Sequence, residues 1–121
     1  MPACERFEVA VVPFPFVDAA AVKRRPAVAL CTAAFARANG HGLFAMITTA
    51  KRSAWPSDIP LEGWREAGLT APSILRWKVF TLSEGQVLGR VGRLAAGDEG
   101  AVARGLALLL GLDPGTGGAL P

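Results

Sequence analysis

Val9 to Pro26 reads VAVVPFPFVDAAAVKRRP, an apolar run that passes through two prolines and a short loop into three consecutive cations. Val9, Val11 and Val12 favour extended backbone. Pro13 and Pro15 each fix φ and withhold a ladder donor, so the strand ends there or lies on an edge. Asp18 to Val22 is predicted to form a loop. Lys23, Arg24 and Arg25 follow without a break and stop against Pro26, which biases Arg25 away from helix. The cations are therefore expected at the mouth of the next strand, AVALCT, and function is to be sought where they emerge.

Downstream of that strand, residues 33–42 (AAFARANGHG) mix small residues with turn formers and read as a loop holding one helical turn at most. Residues 43–49, LFAMITT, form a continuous apolar run ending in two hydroxyls, as in a strand buried on both faces. Lys51 and Arg52 come just after Thr48 and Thr49, so a second basic pair leaves the sheet beside two alcohols. Residues 53–72 hold three prolines and two glycines and read as a long excursion with little regular structure. Trp55 and Trp64 lie in it and are expected to anchor it on the barrel rather than to stack on bases. Residues 73–82, SILRWKVFTL, alternate as a strand, with Ile74, Arg76, Lys78 and Phe80 on one side and Leu75, Trp77 and Val79 on the other.

Glu84 and Gly85 suit a tight reversal, and residues 86–94 (QVLGRVGRL) supply a fifth strand bent or closely approached at Gly89 and Gly92. Beyond Gly97, Asp98 and Glu99 bring negative charge to a first helical turn. Val102, Leu106, Leu109 and Leu110 recur on one helical face, and their burial would contribute roughly 6 to 12 kcal/mol before ordering entropy is subtracted. Gly111 is placed to end the helix. The expected organisation is one domain over residues 1–112 and a flexible tail, DPGTGGALP, over 113–121. A chain of 121 residues is long enough to bury roughly two-thirds of its unfolded surface in one core.

Apolar residues make up 51% of the chain and charged residues 19%, which excludes global disorder. The net charge is +3, and ten of the thirteen cations are arginine, a bias that suits bidentate phosphate recognition and also an Ala, Gly and Arg-rich coding composition. Cys4 and Cys31 are too few for a disulfide scaffold and are read as reduced thiols. The charged start, MPACERFE, and the lack of an apolar run near the ~18 residues of a membrane span lead to the expectation of a cytoplasmic protein with no membrane partner.

A single histidine, no CxxC and scattered carboxylates offer no metal site, and there is no GxxxxGK[ST] phosphate loop, so no cofactor is expected. His41 has nothing to orient it as a base and reads as a surface residue. What remains is an arginine cluster, two hydroxyls at a strand end and cations at 51, 52, 76, 78, 90 and 93. Such a set can cleave RNA, because the substrate carries its own nucleophile in the 2′-hydroxyl. Arginine suits the remaining task, since its planar fork donates two hydrogen bonds to phosphate oxygens. Taken alone, KRRP after a strand also fits a solvated face.

The order of the segments adds to this. VPFPF, KRRP, ITT and GRVGRL, in that order and followed by a short helix, make the chain resemble the MazF/PemK family of bacterial toxins, messenger-RNA endoribonucleases, from about Phe7 to Leu112. The resemblance implies a mainly β fold with short helices: a small SH3-like barrel of the kind shared with Kid and CcdB, closed by a C-terminal helix and paired as a homodimer. It implies metal-independent cleavage of single-stranded RNA to a 2′,3′-cyclic phosphate and a 5′-hydroxyl, held in check by an antitoxin with an extended acidic segment. Carried onto this sequence, the catalytic pair is Arg25 and Thr48, with Thr49 close enough in register to compete. Lys23, Arg24, Thr49, Lys51, Arg52, Arg76 and Lys78 are then the candidate RNA contacts. Where some members have a serine before the basic cluster, this loop reads DAAAV; Asp18, its only polar side chain, is a candidate orienting carboxylate as well as a turn former. A CcdB-like protein that binds gyrase without cutting RNA, and a decayed toxin that only binds its antitoxin, are the alternatives.

Overall fold

The opening apolar run folds as strand β1, Glu8–Phe14, in a computed structural model that describes residues 3–14, 23–50 and 54–112. Val9 is buried on one face of β1, and Ala10 and Val12 in a separate cluster. One strand therefore feeds two cores. Pro13 stays within β1, opposite Arg24 of strand β2, Lys23–Ala29. It is tolerated because β6, Gly89–Arg93, covers β1 only as far as Val11; beyond that point β1 is an edge, where a missing donor leaves no partner unpaired. The cations are thus the first three residues of β2 itself, not its approach, because the antiparallel ladder with β1 runs on to Phe14 and Lys23.

Residues 33–42 are more ordered than their composition suggests. Ala33–Asn39 forms helix α1, capped by Thr32, whose hydroxyl accepts the Phe35 N–H at 3.1 Å, and closed by Gly40 at φ 74°. The small residues read as loop-forming are the ones a short helix buries, Ala33 and Ala36. His41 then opens strand β3, His41–Thr49, and is exposed. Within the excursion a three-residue strand β4, Ile59–Leu61, pairs with strand β5, Ser73–Ser83. Among the described residues six strands form one antiparallel sheet in the order β4-β5-β3-β2-β1-β6.

The sheet is curled. β1 and β5 are three strands apart, about 14 Å in a flat sheet, yet the rings of Phe14 and Phe80 lie 6.4 Å from each other, and Phe80 stacks on Phe44 at 5.9 Å. Irregular register at Val9/Ala10 and Ala45/Met46 supplies the added twist. The opposite face carries Val9, Val28, Ala45, Ile47, Leu75 and Trp77 and is covered by helix α2, Ala96–Leu110, through Val102, Ala103 and Leu106. In its first turn the buried Asp98 accepts the backbone N–H groups of Glu62 at 3.2 Å and Gly63 at 2.9 Å. Leu109 and Leu110, expected on the buried stripe, are 50% and 59% exposed. Leu109 keeps the angular position of Val102 but lies about 10 Å further along the axis, past the point where Trp77 and Ile59 meet the helix at Gly105.

Candidate active site

Arg25 is half-buried in β2, paired with Val12 of β1; Thr48 is half-buried in β3, paired with Ile74 of β5. Between β2 and β3 the ladder joins Ala29 to Phe44, Val28 to Ala45 and Ala27 to Met46, then stops. It stops because Pro26 has no N–H to donate. Carried two residues further, the same register sets Arg25 across from Thr48, and strand alternation puts both on the face of Ala27 and Phe44. A guanidinium and an alcohol that share one face at one level of a sheet can grip the oxygens of a single phosphate.

The neighbours divide by the same alternation. Lys23 is exposed and falls on Arg25's side, whereas Arg24 and Thr49, both exposed, fall on the other. Arg24 there borders a depression with Val11, Pro26, Leu69, Thr70 and Val91, and Arg25 reaches the same depression from the strand edge. Lys51, Arg52 and Asp18 lie outside the described residues.

Arg76 leaves β5 on Thr48's side of the sheet, since β5 pairs Ile74 with Thr48 and Arg76 with Met46. Its fork is occupied: Nε and Nη2 donate to Asp58 at 3.0 and 2.8 Å, and the two side chains are only 10% and 8% exposed. Those hydrogen bonds hold the Asp58 carboxyl below the usual carboxylate range against the opposing effect of burial, helped by the Trp55 N–H, and hold the Arg76 guanidinium above its ordinary value. Sequence spacing does not announce this pair, whose members are 18 residues apart; the β4–β5 register, which sets Ile59 against Leu75, brings them face to face. Trp55 lies against the pair, 5.3 Å from Arg76 Cζ and 5.8 Å from Lys78 Nζ, and remains 39% exposed. Trp64, by contrast, anchors the excursion on the core as expected. Among the described residues no group of three or more His, Cys, Asp or Glu is arranged to hold a metal ion.

The family model for PemK-like, MazF-like toxins of type II toxin-antitoxin systems matches residues 5–110. No curated protein sequence matches the chain. Among solved structures, the MazE-MazF complex (Form-III) of Deinococcus radiodurans superposes with a TM-score of 0.72 at 19% identity, covering 90% of this chain and 97% of that one. An endoribonuclease in complex with its cognate antitoxin from a mycobacterial species gives 0.70 at 16%, covering 91% and 97%. Mycobacterium tuberculosis toxin MazF-mt6 gives 0.65 at 21%, covering 85% and 95%. At such identities the structural likeness speaks for the fold, and the barrel-like sheet with its C-terminal helix is the one they share. With the family model spanning both the sheet and the closing helix, this chain belongs to the PemK-like, MazF-like toxins of type II toxin-antitoxin systems.

Proposed function

We propose that the protein is an endoribonuclease toxin that cuts single-stranded RNA without a metal ion, with Arg25 and Thr48 as its catalytic residues. What supports this reading is the β2–β3 register, which, extended two residues past its last pair at Ala27 and Met46, sets the two side chains on one face of the sheet. The substrate's 2′-hydroxyl gives up its proton and attacks phosphorus, the bond to the 5′-oxygen of the next nucleotide breaks, and that oxygen takes up a proton. The products are a 2′,3′-cyclic phosphate and a 5′-hydroxyl. Arg25 stabilises charge on the phosphorane and is placed to protonate the leaving oxygen; Thr48 holds a non-bridging oxygen or the attacking hydroxyl. Lys23, Arg24, Lys51, Arg52 and Lys78 supply contacts along the RNA backbone, with Asp18 a candidate orienting carboxylate as well as a turn former.

The working unit is a homodimer in the cytoplasm, silenced by an antitoxin whose acidic extended segment pairs with the cations around Arg25. Support for the partner comes from the neighbours solved as toxin-antitoxin complexes. No helix among the described residues is long and apolar enough to cross a membrane. Purified dimer incubated with single-stranded RNA in excess chelator is expected to cleave it, while Arg25→Ala loses about 100-fold or more in rate, as for removal of one oxyanion donor. Equal cleavage by both proteins, or none by either, overturns the assignment.

A further inference from the structure

Trp55 keeps 39% of its surface exposed while being fixed from several sides. Its N–H donates to Asp58 Oδ2 at 2.8 Å, and its carbonyl accepts the Asp58 N–H at 3.0 Å. Its ring meets the Arg76 guanidinium, itself clamped by the same carboxylate. The other two indoles are spent on packing, Trp77 at 9% exposure and Trp64 against the main cluster. Shielding the Asp58 and Arg76 pair accounts for the covered part of the Trp55 ring, but not for the exposed remainder or for Lys78. That lysine is exposed, stands 5.8 Å from the ring centroid and forms no ion pair with a described carboxylate. The assembly stands on Thr48's side of the sheet, on the strand that pairs with Thr48. A held aromatic ring that stays partly exposed, with an exposed lysine beside it, offers what a splayed base and its phosphate require.

We propose that Trp55 is a base-stacking platform for the nucleotide flanking the scissile phosphate and so a determinant of sequence preference, with Asp58 and Arg76 as positioning residues and Lys78 contacting that nucleotide's phosphate. The substrate class rests on the nuclease reading above; the platform itself is tested apart from cleavage. The probe is a mixed-sequence single-stranded RNA oligonucleotide carrying 2′-O-methyl groups, which removes the nucleophile and leaves binding alone. Anisotropy gives its Kd, and intrinsic tryptophan fluorescence reports stacking.

Wild type is expected to bind with quenching. Trp55→Ala is expected to weaken binding about 5- to 150-fold, and Trp55→Phe to recover most of the affinity but none of the quenching. Asp58→Asn should weaken the wild type yet add nothing in the Trp55→Ala background, a coupling that a purely structural role would not produce. With cleavable RNA, Trp55→Ala is expected to raise KM and leave kcat within about twofold, the signature of lost uniform binding. Thermal melts of each variant exclude misfolding. If the oligonucleotide binds and quenches while cleavable RNA stays intact, the nuclease reading fails and the platform stands. If RNA is cut but Trp55→Ala leaves Kd and KM unchanged, or Trp55→Phe still quenches, the platform is overturned and the nuclease stands. No binding by wild type overturns the platform outright.

Discussion

Thr48 and Thr49 carry the same hydroxyl one residue apart, and only strand alternation separates them. Thr48 shares the side of Arg25, and Thr49 is exposed on the other. Under the proposed mechanism Thr48→Val is expected to lower single-turnover cleavage by about 100-fold or more, while Thr49→Val changes it by no more than a few-fold. A second residue-level expectation concerns Asp58. Unfolded, a free carboxylate titrates near about 3.9; folded, the Arg76 hydrogen bonds hold Asp58 lower. The native state therefore binds this proton less tightly, so the pair's stabilisation is complete above the unfolded value and fades as pH falls through the folded one. Melts should show wild type more stable than Asp58→Asn at neutral pH and the gap closing below about pH 4. Residue-level legibility was uneven for a physical reason. Arg25 and Thr48 stand in stretches whose types and order mark them, but which alcohol faces the guanidinium is a matter of register. The Trp55, Asp58 and Arg76 assembly depends on a three-residue strand that no periodicity reveals.

Among the elements, helix α2 shows what packing adds to propensity. A Cβ on Gly105 would stand 2.8 Å from Trp77 Cζ2 and 2.9 Å from Ile59 Cδ1. Alanine there gains about 1 kcal/mol of helix propensity but forces a buried indole to move, which costs about 1 to 3 kcal/mol. Gly97, in the same helix, has nothing within 4 Å. Urea unfolding should accordingly find Gly105→Ala destabilised by about 1 kcal/mol and Gly97→Ala stabilised by about 0.5 to 1 kcal/mol. Apart from β4, the strands were readable from β-branched and aromatic runs, with ends shifted by a residue or a few. Helix α1 reads in the sequence as a loop, because its alanines and Asn39 resemble loop composition, although Thr32 and Gly40 cap it in the structure. The stripe on α2 was readable as a stripe; that its last turn overruns the sheet, exposing Leu109 and Leu110, is a fact about where β4 and Trp77 end.

For the whole molecule, a net charge of +3 in 121 residues is modest, so RNA affinity must come from where the cations stand rather than how many there are. Lys23, Arg24, Arg25 and Lys78 are the described cations proposed to meet phosphates. If each meets one, the logarithm of the binding constant should fall against that of salt with a slope of about −3 per chain, and Lys78→Ala should flatten it by about 0.7. Anisotropy titrations between about 50 and 200 mM salt measure this slope. One feature of the folded chain ties its distant parts together: the Asp98 carboxylate, which receives the amides of Glu62 and Gly63. The start of the closing helix and the loop beyond β4 consequently cannot fray apart from one another. They are expected to open together, and deuterium exchange should give their amides one shared protection although they are 35 residues apart along the backbone.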